Sequence, residues 1–171
     1  MKTVLKKANE IFQNSKMLLS SLAKLLLLIR GLGYEDVWML LIAYKKLVFV
    51  IIRLHLTENG FNSLICTCKS TTPYLYLPAL QEELIDQVTW AVKAASLCFP
   101  KDRSKCLEEA IAMFLLMKTR GVTVILVVGV KSTISGIDDR FDAHAWLELN
   151  SEIISGLDFQ QNVYIPILSI G

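Results

Sequence analysis

Asp102-Arg-Ser-Lys-Cys106-Leu-Glu-Glu-Ala-Ile-Ala-Met-Phe-Leu-Leu-Met-Lys-Thr-Arg-Gly121-Val-Thr-Val-Ile-Leu-Val-Val-Gly-Val130, followed by Arg140-Phe-Asp-Ala-His144-Ala-Trp-Leu-Glu-Leu149, is the part of the chain that decides its fold. Asp102 or Ser104 can cap a helix in which Cys106, Ala110, Met113, Phe114 and Met117 recur at helical spacing, so Cys106 falls in the first turn. Unpaired N–H groups and the positive end of the helix dipole favour an anion there, hence a thiolate. Arg103 and Lys105 add positive potential, whereas Glu108 and Glu109 suit a helix start but oppose a thiolate. An imidazole partner therefore matters more than the dipole.

Gly121 has the place of a helix C-cap, and Val122 to Val130 is a β-branched run that reads as a buried strand. From Arg140 to Leu149, alternation puts Ala143, Ala145, Leu147 and Leu149 on one face and His144, Trp146 and Glu148 on the other. Trp146 is expected to pack beside the cysteine helix, and Glu148 to lie at the exposed strand end. Asn150-Ser-Glu152 reads as a three-residue hairpin loop, with Ile153 to Leu157 as the returning strand. Pairing Leu149 with Ile153 would set His144 opposite Asp158, where a carboxylate can orient the imidazole and stabilise its protonated form. A slip of one residue would turn Asp158 away. A thiol at a helix start facing an imidazole on a sheet points to a cysteine hydrolase or acyl transferase, with Cys106, His144 and Asp158 as the candidate catalytic residues.

The same two stretches resemble the transglutaminase-like core of the lasso-peptide leader peptidases, the stand-alone B proteins of lasso-peptide biosynthesis within the transglutaminase-like cysteine protease superfamily. The resemblance runs from about Trp90 to Pro166 and is carried by the cysteine helix, the Arg120-Gly-Val122 turn and the Ala143-His-Ala-Trp146 strand. It implies an α+β fold: a papain-like or transglutaminase-like core with the cysteine on a helix N-terminus, histidine and carboxylate on an antiparallel sheet, and here an N-terminal helical extension. By this resemblance Cys106 is the nucleophile and His144 the general base and acid. Where family members often carry an aspartate downstream of the histidine, this chain has Gly156, and Asp158 is the nearest carboxylate. The implied substrate is a ribosomally made lasso-peptide precursor whose leader is removed before a synthetase-like lasso cyclase closes the ring. A small separate leader-recognition protein is implied as a further partner, and no cofactor. Two other readings stand beside this one: an acyltransferase or transglutaminase on the same triad, and a non-catalytic, membrane-associated scaffold.

Composition bounds the remainder. The chain has 171 residues, 53% of them hydrophobic, and a net charge of +2; its mean hydropathy is +0.46. Such a charge implies no broad polyanion-binding role, and no nucleic-acid motif is present. Residues 1–60 hold nine basic and four acidic side chains, against nine and twelve in 61–171. A basic, apolar N-terminal third suits contact with a membrane surface or a partner protein. The expected organisation is an apolar helical region at 1–60, a linker at 61–79 where Thr71-Thr-Pro73 and Pro78 resist regular structure, and the catalytic core at 80–171.

Leu18 to Ile29 and Val37 to Leu56 are the two long apolar runs, separated by Gly31-Leu-Gly33. A spanning helix wants about 20 largely uncharged residues, and Lys45, Lys46 and Arg53 interrupt the second run, which favours packed helices. Leu80 to Leu97 reads as a helix leading to the cysteine loop, and Lys131 to Asp139 as a polar loop on the rim of the cleft. Cys66-Thr-Cys68 has a poor spacing for zinc and no second ligand pair, and Cys98 lies in an apolar helical run where burial is expected. Without a cleavable signal or a disulfide framework, the expected compartment is the reducing cytoplasm, with membrane association as the alternative.

Overall fold

The computed structural model describes residues 20–26, 28–71, 81–99, 105–131, 143–155 and 164–171. Helical residues within 20–29 lead into four helices: α1 (Tyr34–Leu56), α2 (Gly60–Ser70), α3 (Gln81–Ser96) and α4 (Lys105–Thr119). Four strands follow, β1 (Ile125–Lys131), β2 (Ala143–Leu149), β3 (Glu152–Ser155) and β4 (Tyr164–Ile170), in the order β3-β2-β1-β4. Each neighbouring pair is antiparallel, so the architecture is α+β.

The cysteine helix lies in the middle. Every residue from Ala110 to Met117 is buried, so α4 is covered all round rather than along one stripe, with helices on one side and the sheet on the other. Its C-terminus closes as the sequence asks. Gly121 is left-handed at φ 82, and the N–H groups of Gly121 and Val122 donate to the carbonyls of Lys118 and Met117 at 3.1 and 3.0 Å, a Schellman cap. Val122 to Val124, expected as strand, instead carry the chain from this cap to β1.

The long apolar run proves to be a packed helix. Met39, Leu40, Ala43, Leu47, Val50 and Ile51 form the buried stripe of α1, Lys45 faces solvent, and Glu35 and Asp36 occupy the first turn. No helix of the described residues is long and apolar enough to cross a membrane.

Within the 61–79 segment expected to be a linker, the front half is helical. Asn59 at φ 62 turns the chain out of α1, and a Cβ on Gly60 would run into the Arg53 carbonyl, so only glycine fits this corner. Leu64 and Cys68 of α2 then enter the same buried cluster as α1, α3, α4 and the sheet.

The hairpin differs from expectation by one residue. Asn150 and Ser151, at φ 50 and 70, make a two-residue turn with both central residues left-handed, and Leu149 pairs with Glu152. A bulge between Leu147 and Glu148 then brings Leu147 opposite Ser155, the partner that a Leu149–Ile153 start would have given it. The Leu147 N–H donates to the Ser155 hydroxyl at 3.1 Å.

Candidate active site

Cys106 sits in the first turn of α4, partly exposed. Its Sγ lies 4.0 Å from the carbonyl oxygen of Ala143, the first residue of β2, a sulfur contact at the outer limit of S–H···O bonding. The structure thus brings the thiol to the strand end where His144 begins. Arg103, Asp102 and Ser104, proposed as charge and cap for this helix, lie outside the described residues, as does most of the Lys131–Asp139 loop.

His144 is 6% exposed. It pairs across the ladder with Gly129, and Ala145 with Val128. Ala145 and Leu147 enter the core with α4 and alternation turns the imidazole the other way with Trp146, so the Cys106 thiol meets this strand at its Ala143 end and not through the core. The two rings stack at 6.2 Å between centroids, 16° apart, and the Tyr164 ring of β4 approaches His144 at 5.6 Å. Trp146, expected beside the cysteine helix, instead lies across Gly129, where a Cβ would come within 2.8 Å of its ring. Glu148, expected at the exposed strand end, is half-buried and accepts the indole N–H at 2.8 Å.

Asp158 lies outside the described residues.

Two neighbours of the site were not legible in advance. Tyr164 belongs to β4, whose strand pattern is broken by Pro166. His55, in the last turn of α1, meets the Glu108 carboxylate on α4 at 2.8 Å, Nε2 to Oε1. Glu108 is 4% exposed, so the carboxylate expected to oppose the thiolate is buried against a cationic-capable partner. The signal available in the sequence was a histidine in the last turn of a largely apolar helix.

No cluster of three or more metal-ligating side chains occurs among the described residues. Cys98 is buried as expected, and burial pushes the Cys68 thiol up to about 11.

A family model for the transglutaminase-like superfamily matches residues 52–169, well over half of the chain. The chain belongs to the transglutaminase-like superfamily. Comparison with curated proteins and with solved structures gave no match. Membership in this superfamily suggests cysteine-peptidase or acyl-transferase chemistry, and a transglutaminase-like domain agrees with the helix-then-sheet order seen here. The match begins inside α1 and runs through α2, so it takes in more of the helical layer than the Trp90–Pro166 resemblance did.

Proposed function

We propose that this protein is a cysteine peptidase that removes the leader from a ribosomally made lasso-peptide precursor, with Cys106 as nucleophile, His144 as general base and acid, and Asp158 as the group that orients His144. The observation that carries the reading is the 4.0 Å approach of the Cys106 sulfur to the Ala143 carbonyl, next to His144, in a chain of the transglutaminase-like superfamily.

His144 takes the thiol proton, and the Cys106 thiolate attacks the scissile carbonyl carbon. The tetrahedral oxyanion forms against backbone N–H groups at the start of α4, the Cys106 amide first. As the C–N bond breaks, His144 returns its proton to the leaving amine and a thioester remains. Water, deprotonated by His144, attacks the thioester and frees both the acid product and the thiol. No cofactor enters these steps. A separate leader-recognition protein would present the precursor, a lasso cyclase would use the product, and the setting would be the cytoplasm.

Mass spectrometry of the precursor, incubated with the recognition protein and each variant, tests this. Wild type should release a leader-sized fragment, Cys106→Ala and His144→Ala should release none, and Asp158→Ala should cut the rate by about a hundredfold or more. A cleaving Cys106→Ala variant removes the mechanism, and an active Asp158→Ala variant reassigns the orienting role. An acyl transfer to an added amine without net hydrolysis would favour the transferase reading instead.

A further inference from the structure

A buried carboxylate is costly unless it is hydrogen-bonded or paired, and Glu108 is buried on the same helical turn as the candidate nucleophile. Its Oε1 stands 2.8 Å from Nε2 of His55, whose own side chain is 39% exposed. With the carboxylate ionised, Nε2 carries the hydrogen and donates it. The pair joins the C-terminal turn of α1 to the N-terminal turn of α4, so the carboxylate sits at the helix end whose dipole favours an anion. Residues two apart on a helix do not face each other. Glu108 therefore reaches Cys106 through the turn they share and through its charge, not by contact.

We propose that His55 is a positioning residue for the Cys106 nucleophile, acting through Glu108: it ties the cysteine-bearing turn to α1 and, by donating to the carboxylate, weakens the opposition that Glu108 would otherwise offer to the thiolate. This rests on the assignment of Cys106 as nucleophile made above. The charged or titratable side chains on the elements packed around the pair include Arg53 on α1, Asp86 and Lys93 on α3, Glu109 on α4, and His144 and Glu148 on β2. Arg53 is engaged elsewhere, donating to the Ser63 hydroxyl at 3.0 Å and lying 5.5 Å from the centre of the Phe49 ring. Glu148 accepts from Trp146. His55 is thus the hydrogen-bond donor in direct contact with Glu108.

The test is the rate at which iodoacetamide alkylates Cys106 across pH, resolved by peptide mass spectrometry, with Cys66 as internal reference and thermal unfolding recorded for each protein. His55→Ala should slow Cys106 about three- to tenfold near neutral pH and carry its profile to higher pH, with Cys66 unchanged, because thiolate fraction sets the rate. His55→Gln, whose amide N–H can replace the lost donor, should recover most of the rate. In the His55→Ala background, Glu108→Gln should bring the profile back, since it removes the uncompensated charge.

A His55→Ala profile that coincides with wild type overturns the proposal, whether or not the protein melts earlier. So does a displaced profile that Glu108→Gln leaves in place. If His55→Ala does not fold, Glu108→Gln alone decides: it keeps an acceptor for Nε2 and should move the Cys106 profile to lower pH, and an unmoved profile overturns the proposal. Precursor cleavage is followed separately. A wild type that never cleaves would end the peptidase reading while leaving the alkylation profiles to decide the role of His55.

Discussion

Cys66 and Cys68 share one helix, yet their surroundings give them opposite chemistry. Cys66 is exposed, while Cys68 is fully buried. Desolvation raises the Cys68 thiol to about 11, against smaller opposing pulls from Lys118 and Lys46. At about pH 8 a thiol probe should therefore label Cys66 and spare Cys68, because the thiolate is the reactive form. The same shift has a stability consequence. Between the ordinary thiol value of 9.0 and about 11 the unfolded chain releases this proton while the folded chain keeps it. The contribution is whole below that window and is lost as pH rises through it. Urea unfolding at about pH 8 and about pH 10.5 should show a steeper alkaline loss in wild type than in Cys68→Ala. Equal pH dependence in the two proteins would remove the burial argument.

Neighbouring strands approach closely where β1 carries Gly129. On one side it pairs with His144 and on the other with Pro166, next to a register shift in the β1–β4 ladder. A Cβ here would press into the Trp146 ring at 2.8 Å and stand 3.1 Å from the Ile165 carbonyl. The indole is fixed by its bond to Glu148 and stacks on His144, so the ring has little freedom to yield. Gly129→Ala should cost about 1–3 kcal/mol, read as a lower urea midpoint. It should also displace the His144 ring, read as a changed imidazole proton shift in NMR. An unchanged midpoint and shift would mean that the ring moves aside freely.

This level of the structure was partly legible in the sequence. The cysteine helix, its Gly121 cap and the alternating strand follow from local periodicity and turn chemistry. Helix α2 did not, because Asn59, Gly60, Asn62 and Ser63 give its start the look of a loop, while burial of Leu64 and Cys68 comes from tertiary packing. Strand β4 is interrupted by Pro166, which an edge strand tolerates and a local reading penalises. The hairpin was right beyond its bulge and wrong at its turn, since Asn150 and Ser151 both take left-handed backbone. His55 and Glu108 lie far apart in sequence, and only the packing of α1 on α4 brings them into contact.

At the scale of the molecule, one helix couples everything. α4 packs against α1, α2 and α3 and against β1 and β2, and its interior from Ala110 to Met117 contains no exposed residue. The buried cluster accordingly runs without a break from Leu40 and Leu47 on α1, through Ile111, Phe114 and Leu115, to Leu126 and Leu147 in the sheet. Phe114 is the largest of these fully buried side chains, and Lys118 lies 5.2 Å from its ring centre while donating to the carbonyls of Cys68 and Gly171 at 3.1 and 3.2 Å. Removing that ring strips packing from both layers at once and loosens the tie between α2 and the C-terminal strand. Phe114→Ala should therefore cost about 3–5 kcal/mol. Because both layers lean on α4, the helix signal in far-UV circular dichroism and the emission of Trp146, measured with Trp38 and Trp90 replaced by Phe, should fall at one common urea midpoint in both proteins, lower in the variant. Separate midpoints would show that sheet and helices unfold as independent units, and the cysteine on α4 would then owe its place beside β2 to local contacts alone.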